Sequence, residues 1–307
     1  MEQTSLGLGL EGSHVLVTGG AGLIGRVVVD HFVAAGAKVS SLDIVYASTS
    51  RDGSTPSNTA QPAFNSVHCD VSNEAEVRQA FATAVAAHGP VDITIALASL
   101  DLSVLDASSF ADASFGQLRK VLDINIAGTW LTAREWVRGL RQARNSNTPM
   151  RHPNLIIIGS ESGLFGERQN AEYSLGKSAV QEGLLNSLRA DVPREWPGAR
   201  VNVIAPGPVR TDRWEQECRQ NPDQYYLEAQ ATTALGEPIP IKAVAMSILS
   251  IASHNFSSHV HGQIIAVDGG KQGKELVRLV NTDRFASLQP PIRPSTLHKI
   301  FLVQLFS

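Results

Sequence analysis

Tyr173 and Lys177 stand four residues apart in YSLGK (173–177). On a helix that spacing puts both on one face, one turn from each other. A tyrosine phenol titrates at about pH 10 in water, and a nearby ammonium favours its ionised form. Such a pair can take a proton from an oxygen or give one to it. Ser160 lies thirteen residues before the tyrosine, in IIIGSESG (156–163). A serine hydroxyl there can donate to an oxygen on which negative charge develops. Ser162 is its rival, and the spacing favours Ser160. Taken alone, the same residues also fit an ordinary amphipathic helix behind a polar loop.

The other titratable groups near this stretch read as bland. Glu161, Glu167 and Glu172 are expected to be solvated loop and helix-start acids, a placement that suits a helix N-terminus. Glu161, beside the serine, is still within reach of a substrate. Nine histidines show no metal spacing, and His259 and His261 read as surface residues. No metal site is expected.

Several elements must position these groups. Apolar runs at 14–20, 38–44, 66–71, 92–98, 154–160, 199–209 and 262–270 read as strands. Helical periodicity fills 23–37 and 74–89, then 115–144 with a break near Gly128, and then about 171–191 around Tyr173 and Lys177. Apolar strands alternating with helices imply a single Rossmann-type doubly wound parallel sheet of about seven strands, with helices on both faces. Residues 1–270 are expected to form one domain, and 271–307 a C-terminal extension of unassigned role. The stretches 47–62 and 144–153 read as surface loops. The Pro-bounded segment 211–240 is expected to cover the mouth of the site.

With 307 residues, 43% hydrophobic and 18% charged, the chain is long and apolar enough to bury a sizeable core. A net charge of −3 offers no electrostatic case for nucleic acid or an anionic membrane. Two cysteines, Cys69 and Cys218, have no paired spacing, which argues against a disulfide scaffold or zinc site and fits a reducing compartment. The N-terminal residues lack a signal-peptide pattern, and no apolar run approaches the roughly 18–20 residues needed to span a bilayer. A soluble, cytoplasmic protein is expected.

TGGAGLIG (18–25) follows a strand and opens a helix, with Gly19, Gly22 and Gly25 three apart. Such a turn lets the backbone approach a pyrophosphate at a helix N-terminus. Asp43 ends the next strand. A carboxylate there can accept hydrogen bonds from an adenosine ribose diol and repels a 2′-phosphate. NAD is therefore the preferred cofactor. NADP stays open, because Arg26 and Arg51 are nearby cations.

These motifs together, over roughly 12–271, resemble the single-domain branch of the short-chain dehydrogenase/reductase family. The turn residues Gly19, Gly22, Leu23, Ile24 and Gly25 match its nucleotide motif. "CDV" (69–71) resembles the family's Asp-Val, which implies that Asp70 and Val71 contact adenine. "INIAG" (124–128) resembles the segment carrying a catalytic asparagine, here Asn125, at a helix distortion that holds a water linking Lys177 to solvent. "APGPVRT" (205–211) resembles the Pro-Gly loop at the nicotinamide carboxamide, which implicates Pro206, Gly207, Val209 and Thr211. The resemblance also implies that Lys177 and Tyr173 touch the cofactor, with Lys177 on the nicotinamide ribose, and that Ala98 lies beside it. It further implies a homodimer or homotetramer built through the two long helices.

Two departures stand out. Ala96-Leu97-Ala98-Ser99 replaces the family's Asn-Asn-Ala-Gly, and Leu23 stands where the single-domain branch usually has glycine. The resulting glycine spacing is more typical of the extended branch. The reading is an NAD(P)(H)-dependent oxidoreductase that interconverts a secondary alcohol and a ketone on a mid-sized, partly apolar molecule, such as a specialised-metabolite intermediate. Trp214, Tyr225, Tyr226 and Leu227 of the covering segment motivate the apolar part. A redox-neutral isomerase, epimerase or cyclase on the same fold, and a non-catalytic dinucleotide binder, are the alternatives.

Overall fold

The computed structural model describes residues 6–47 and 63–273. Its centre is a seven-stranded, all-parallel sheet. The strands are β1 (His14–Thr18), β2 (Lys38–Asp43), β3 (Phe64–His68), β4 (Ile93–Ala96), β5 (Asn154–Ile158), β6 (Arg200–Pro206) and, after the two-residue strands β7 (Val209–Arg210) and β8 (Ile239–Pro240), β9 (Ile264–Val267). Their order across the sheet is β3-β2-β1-β4-β5-β6-β9. The order reverses between β1 and β4, and in such sheets ligands bind beyond the strand carboxyl ends at that crevice.

The central strands are apolar along their length because helices cover both faces. Leu155, Ile156 and Ile157 of β5 are each fully buried, and burying a side chain of that size stabilises the fold by about 1.5–3 kcal/mol. One face packs on α1 (Leu23–Ala34), whose Val28, Val29 and Phe32 face the sheet and meet α10 (Ile241–Ala252). The other packs on α2 (Glu74–His88), α4 (Thr129–Asn145) and α7 (Leu185–Glu195), with Trp136 at its centre.

The two long helices expected from periodicity are each interrupted. The first comprises α3 (Phe115–Val121), a π-type stretch at Leu122–Gly128, and α4. The irregularity ends at Gly128, where the break was expected, and extends back over the six residues before it. A Cβ at Gly128 would lie 2.7 Å from Val71 Cγ2, so this residue lets the helix close onto the end of β3. The second comprises α6 (Ala171–Ser178), a π-type stretch at Ala179–Leu184, and α7, which runs to Glu195. The third strand also begins earlier than its apolar run suggests, at Phe64, and stops at His68. Cys69–Val71 turns into α2 instead.

Segment 211–240 forms α8 (Asp212–Gln220), the short α9 (Pro222–Tyr225) and a further irregular turn that leads to β8. It spans the carboxyl edge of the sheet. On one side Asp212 pairs with Arg26 of α1 at 3.7 Å, and on the other Arg213 donates to Ser103, between β4 and α3. Arg51, and the tail features beyond 273, lie outside the described residues. No described helix is long and apolar enough to cross a membrane.

Candidate active site

The glycine turn sits at the topological switch. Thr18, the last residue of β1, pairs with Ala96 of β4, and its hydroxyl accepts from the Leu97 and Ala98 N–H groups at 3.1 and 3.2 Å. Gly19 follows with φ +70°, a region side chains rarely adopt, and a Cβ there would lie 2.8 Å from the Ala98 Cα. Ala98 therefore packs directly against the turn. Gly22 is the N-cap of α1 and supplies no side-chain cap, so the first N–H groups of that helix, including those of Leu23 and Ile24, have no capping partner. A Cβ at Gly25 would fall 2.0 Å from the Gly19 carbonyl oxygen, which only glycine avoids. An open, uncapped helix start with a backbone that lies close to it fits the pyrophosphate of a dinucleotide.

Asp43 ends β2 beside this turn. One carboxylate oxygen accepts from Ala21 N–H at 3.0 Å and the other from Val45 N–H at 3.1 Å. The residue thus braces the glycine turn as well as facing the crevice. Asp70 turns toward its own loop, where it accepts from the Ser72 amide and hydroxyl, and Val71 is buried against Gly128. Gly207 donates to the Val267 carbonyl at 3.0 Å, and Pro206 accepts from Glu161 N–H at 2.9 Å. Val209 lies in β7, and the Thr211 hydroxyl caps α8 by accepting from Trp214 N–H at 3.0 Å.

Beyond the end of β5, Ser160, Tyr173 and Lys177 come together, each nearly inaccessible to solvent. Ser160 is beside the Tyr173 phenol, whose ionised form its hydroxyl favours. Burial, with the charges of Asp101, Glu167 and Glu161, nevertheless holds that phenol well above its ordinary range. Lys177 Nζ lies 5.7 Å from the Tyr173 ring centroid. It donates to the Ile158 carbonyl at 3.0 Å and to the Ser99 hydroxyl at 3.3 Å. Burial lowers its pKa to about 8, opposed by Asp101. Ser162 is turned elsewhere, its hydroxyl donating to Glu167 at 2.7 Å.

Asn125 lies in the first irregular helical stretch and is buried. Its amide is fully engaged with the Leu100 backbone, accepting at 2.7 Å and donating at 3.0 Å. Its own carbonyl accepts from the Thr129 hydroxyl at 2.8 Å. Gly176, between Tyr173 and Lys177, makes this proximity possible. A Cβ there would lie 3.0 Å from Val121 and 3.5 Å from the Asn125 Cβ.

Several groups are not where composition put them. Glu172 is buried and accepts from Gln117 at 2.6 Å, rather than being a solvated helix-start acid. Glu161 is 13% exposed and pairs with Lys271 at 3.2 Å. His261 is partly exposed and bridges two elements: Nε2 donates to the Arg189 carbonyl and Nδ1 accepts from Val201 N–H, which joins the start of β6 to α7. Trp214 is spent inside the cap, packed on Tyr225 with its indole donating to Glu228 at 2.6 Å. Gln181 was not anticipated. It is fully buried in the second irregular stretch, and its carbonyl oxygen accepts from Ser160 N–H at 3.0 Å. Its one sequence signal is a polar residue at an inward position of the helix.

The chain as a whole has known relatives. A family model described as enoyl-(acyl carrier protein) reductase matches residues 20–272, and the chain belongs to this short-chain dehydrogenase/reductase family. The chain is 28% identical over 263 residues to the 2,5-dichloro-2,5-cyclohexadiene-1,4-diol dehydrogenase of Sphingobium indicum, covering 85% of this chain and 97% of that one. It is 29% identical over 271 residues to the zerumbone synthase of Zingiber zerumbet, covering 85% and 95%. The solved structure of gox2181 superposes with a TM-score of 0.70 at 26% identity, covering 85% and 96% of the two chains. The protein is an NAD(P)-dependent oxidoreductase of the secondary alcohol–ketone type.

Proposed function

We propose that Tyr173 is the general acid and base of this reaction, that Ser160 holds the substrate oxygen, that Lys177 orients the cofactor and supports the phenolate, and that NAD(H) is the preferred cofactor. The observation that carries the reading is the convergence of Ser160, Tyr173 and Lys177 at the carboxyl end of β5, one strand from the glycine turn.

A nicotinamide dinucleotide bound there accepts or donates the hydride. Gly19, Gly22, Leu23, Ile24 and Gly25 hold its pyrophosphate on the start of α1, and Asp43 accepts from its ribose. Asp70, Val71 and Ala98 line its adenosine side, and Pro206, Gly207, Val209 and Thr211 its nicotinamide side. In reduction Tyr173 must arrive protonated, and its buried, acid-flanked phenol does. In oxidation it must lose that proton. The Ser160 hydroxyl and the Lys177 ammonium are then the two groups that favour the anion. Asn125, its side chain committed to Leu100, contributes through its backbone carbonyl, to which a water can bind on the way from Lys177 to solvent.

The substrate is a mid-sized molecule. One relative acts, by its name, on a cyclohexadiene diol, and the cap that α8 lays across the mouth leaves Leu227 on its surface. Residues 1–270 form the catalytic domain, and the protein works as a cytoplasmic homodimer or homotetramer. Exposed Trp130 on α4 and Leu175 on α6 support that assembly through the interrupted helices.

The deciding experiment titrates NADH and NADPH by nicotinamide fluorescence, then follows NADH formation from a panel of secondary alcohols. Tyr173→Phe is expected to retain NADH binding and to lose turnover by about 10²–10⁴-fold. Equal turnover in Tyr173→Phe sinks the proposed role.

A further inference from the structure

Glu161 follows Ser160 directly, and its two carboxylate oxygens have different fates. Oε1 pairs with the Lys271 ammonium at 3.2 Å. Oε2 is buried and has no hydrogen-bond partner among the described residues. A buried acceptor left without a donor is costly, and native structures rarely keep one without a reason.

The described residues around it supply no second donor. Glu167 and Asp268 flank Glu161 and, like burial, disfavour its charge. Glu161 N–H donates to the Pro206 carbonyl at 2.9 Å, which holds the residue between the serine and the Pro-Gly loop. Lys271 is also committed elsewhere: it donates to the Glu228 carbonyl at 3.1 Å. Glu228 in turn accepts from Trp214 of the cap. A chain of contacts therefore runs from the serine loop through Glu161 and Lys271 into the cap. It fixes the carboxylate with one oxygen inward.

From this we infer that Glu161 is a specificity-determining residue whose free oxygen accepts a hydrogen bond from a second hydroxyl on the substrate, so that the preferred substrate is a diol or polyol rather than a simple carbinol. The inference rests on the proposed roles of Ser160 and Tyr173. Because Glu161 follows Ser160 in the chain, the second hydroxyl is expected on a carbon near the one that reacts.

The test compares trans-1,2-cyclohexanediol with cyclohexanol. Binding of each is read from tryptophan fluorescence on the protein loaded with NADH, where an alcohol binds without turning over. A hydrogen bond to a buried charged acceptor predicts that the diol binds about ten- to a hundredfold more tightly. In Glu161→Gln, which keeps an acceptor but no charge, the ratio falls partway. In Glu161→Leu/Lys271→Met, which removes both members of the pair and strands neither, it falls to near one. Unchanged NADH affinity in the double variant reports that it is folded. A diol that binds the wild type no better than cyclohexanol, or a ratio that survives the double variant, overturns the inference. Failure of the catalytic reading shows separately, as NADH formation that Tyr173→Phe does not diminish.

Discussion

The Lys177 ammonium donates to the Ser99 hydroxyl at 3.3 Å, and Ser99 occupies the last position of the four-residue stretch that departs from the family pattern. The departure thus supplies the buried lysine with an acceptor. A hydrogen bond to the charged form favours that form, while burial holds Lys177 down at about 8. Ser99→Ala removes the acceptor and lowers this value further. The alkaline limb of kcat/KM for ketone reduction is expected to move to lower pH by about half a pH unit to one pH unit. A limb that stays in place while kcat falls would assign Ser99 a packing role only.

Asp43 is expected to set cofactor choice, but its carboxylate also accepts from the Ala21 and Val45 N–H groups. Alanine would remove the brace and the charge together. Asp43→Asn largely separates them, because the amide oxygen can still accept from Ala21 N–H in the turn, at the loss of the exposed bond from Val45 N–H. Roughly 1 kcal/mol of charge repulsion at a solvated site is a factor of about five. Asp43→Asn is therefore expected to improve NADPH binding relative to NADH about fivefold or more, with the melting temperature close to wild type. Asp43→Ala should weaken both dinucleotides as well. Fluorescence titration of the two variants checks this.

Gln181 has the same relation to Ser160 that Asn125 has to Leu100: a buried amide that holds a backbone in place. The space around it is tight, since a Cβ at Gly159 would fall 2.4 Å from its Oε1. Gln181→Leu leaves the Ser160 N–H buried without an acceptor, at a cost of about 1–3 kcal/mol. A melting temperature lower by about 2–4 °C for each kcal/mol is expected. If the amide also aims the serine, kcat falls with little change in NADH affinity. A variant as stable as wild type would contradict the assignment.

Much of this was legible in the sequence, for reasons that differ by element. The central strands read correctly because they are covered on both faces and so are apolar throughout, as in LIII of β5, whereas the edge strand β3, with no buried residue, was displaced. The glycine turn read correctly because close backbone packing at Gly19 and Gly25 tolerates no Cβ. The irregular stretch around Asn125 was legible as a break near Gly128 and from the family resemblance, whereas the one around Gln181 was not, because nothing in its periodicity departs from an ordinary helix. Glu161 and Glu172 were misplaced for another reason. Their polar types suggest solvent, and only tertiary contacts with Lys271 and Gln117 bring them inside.

Glu161 also makes stability depend on pH, in a direction its environment fixes. Burial raises its pKa from 4.5 to about 7, Glu167 and Asp268 push the same way, and Lys271 opposes them. A group whose folded pKa is raised holds its proton more tightly in the native state. Its stabilising contribution is therefore complete below about pH 4.5 and is lost as pH rises through about 7. Lys271→Met removes the opposing charge, so the native carboxyl resists ionisation up to a higher pH and costs more once charged. Its melting temperature should be close to that of the wild type at pH 5 and clearly lower at pH 8. Adding Glu161→Gln to Lys271→Met should abolish that widening gap, because nothing is left to ionise at the position. A gap between Lys271→Met and wild type that is as large at pH 5 as at pH 8 would place the effect in the Lys271–Glu228 contact with the cap instead.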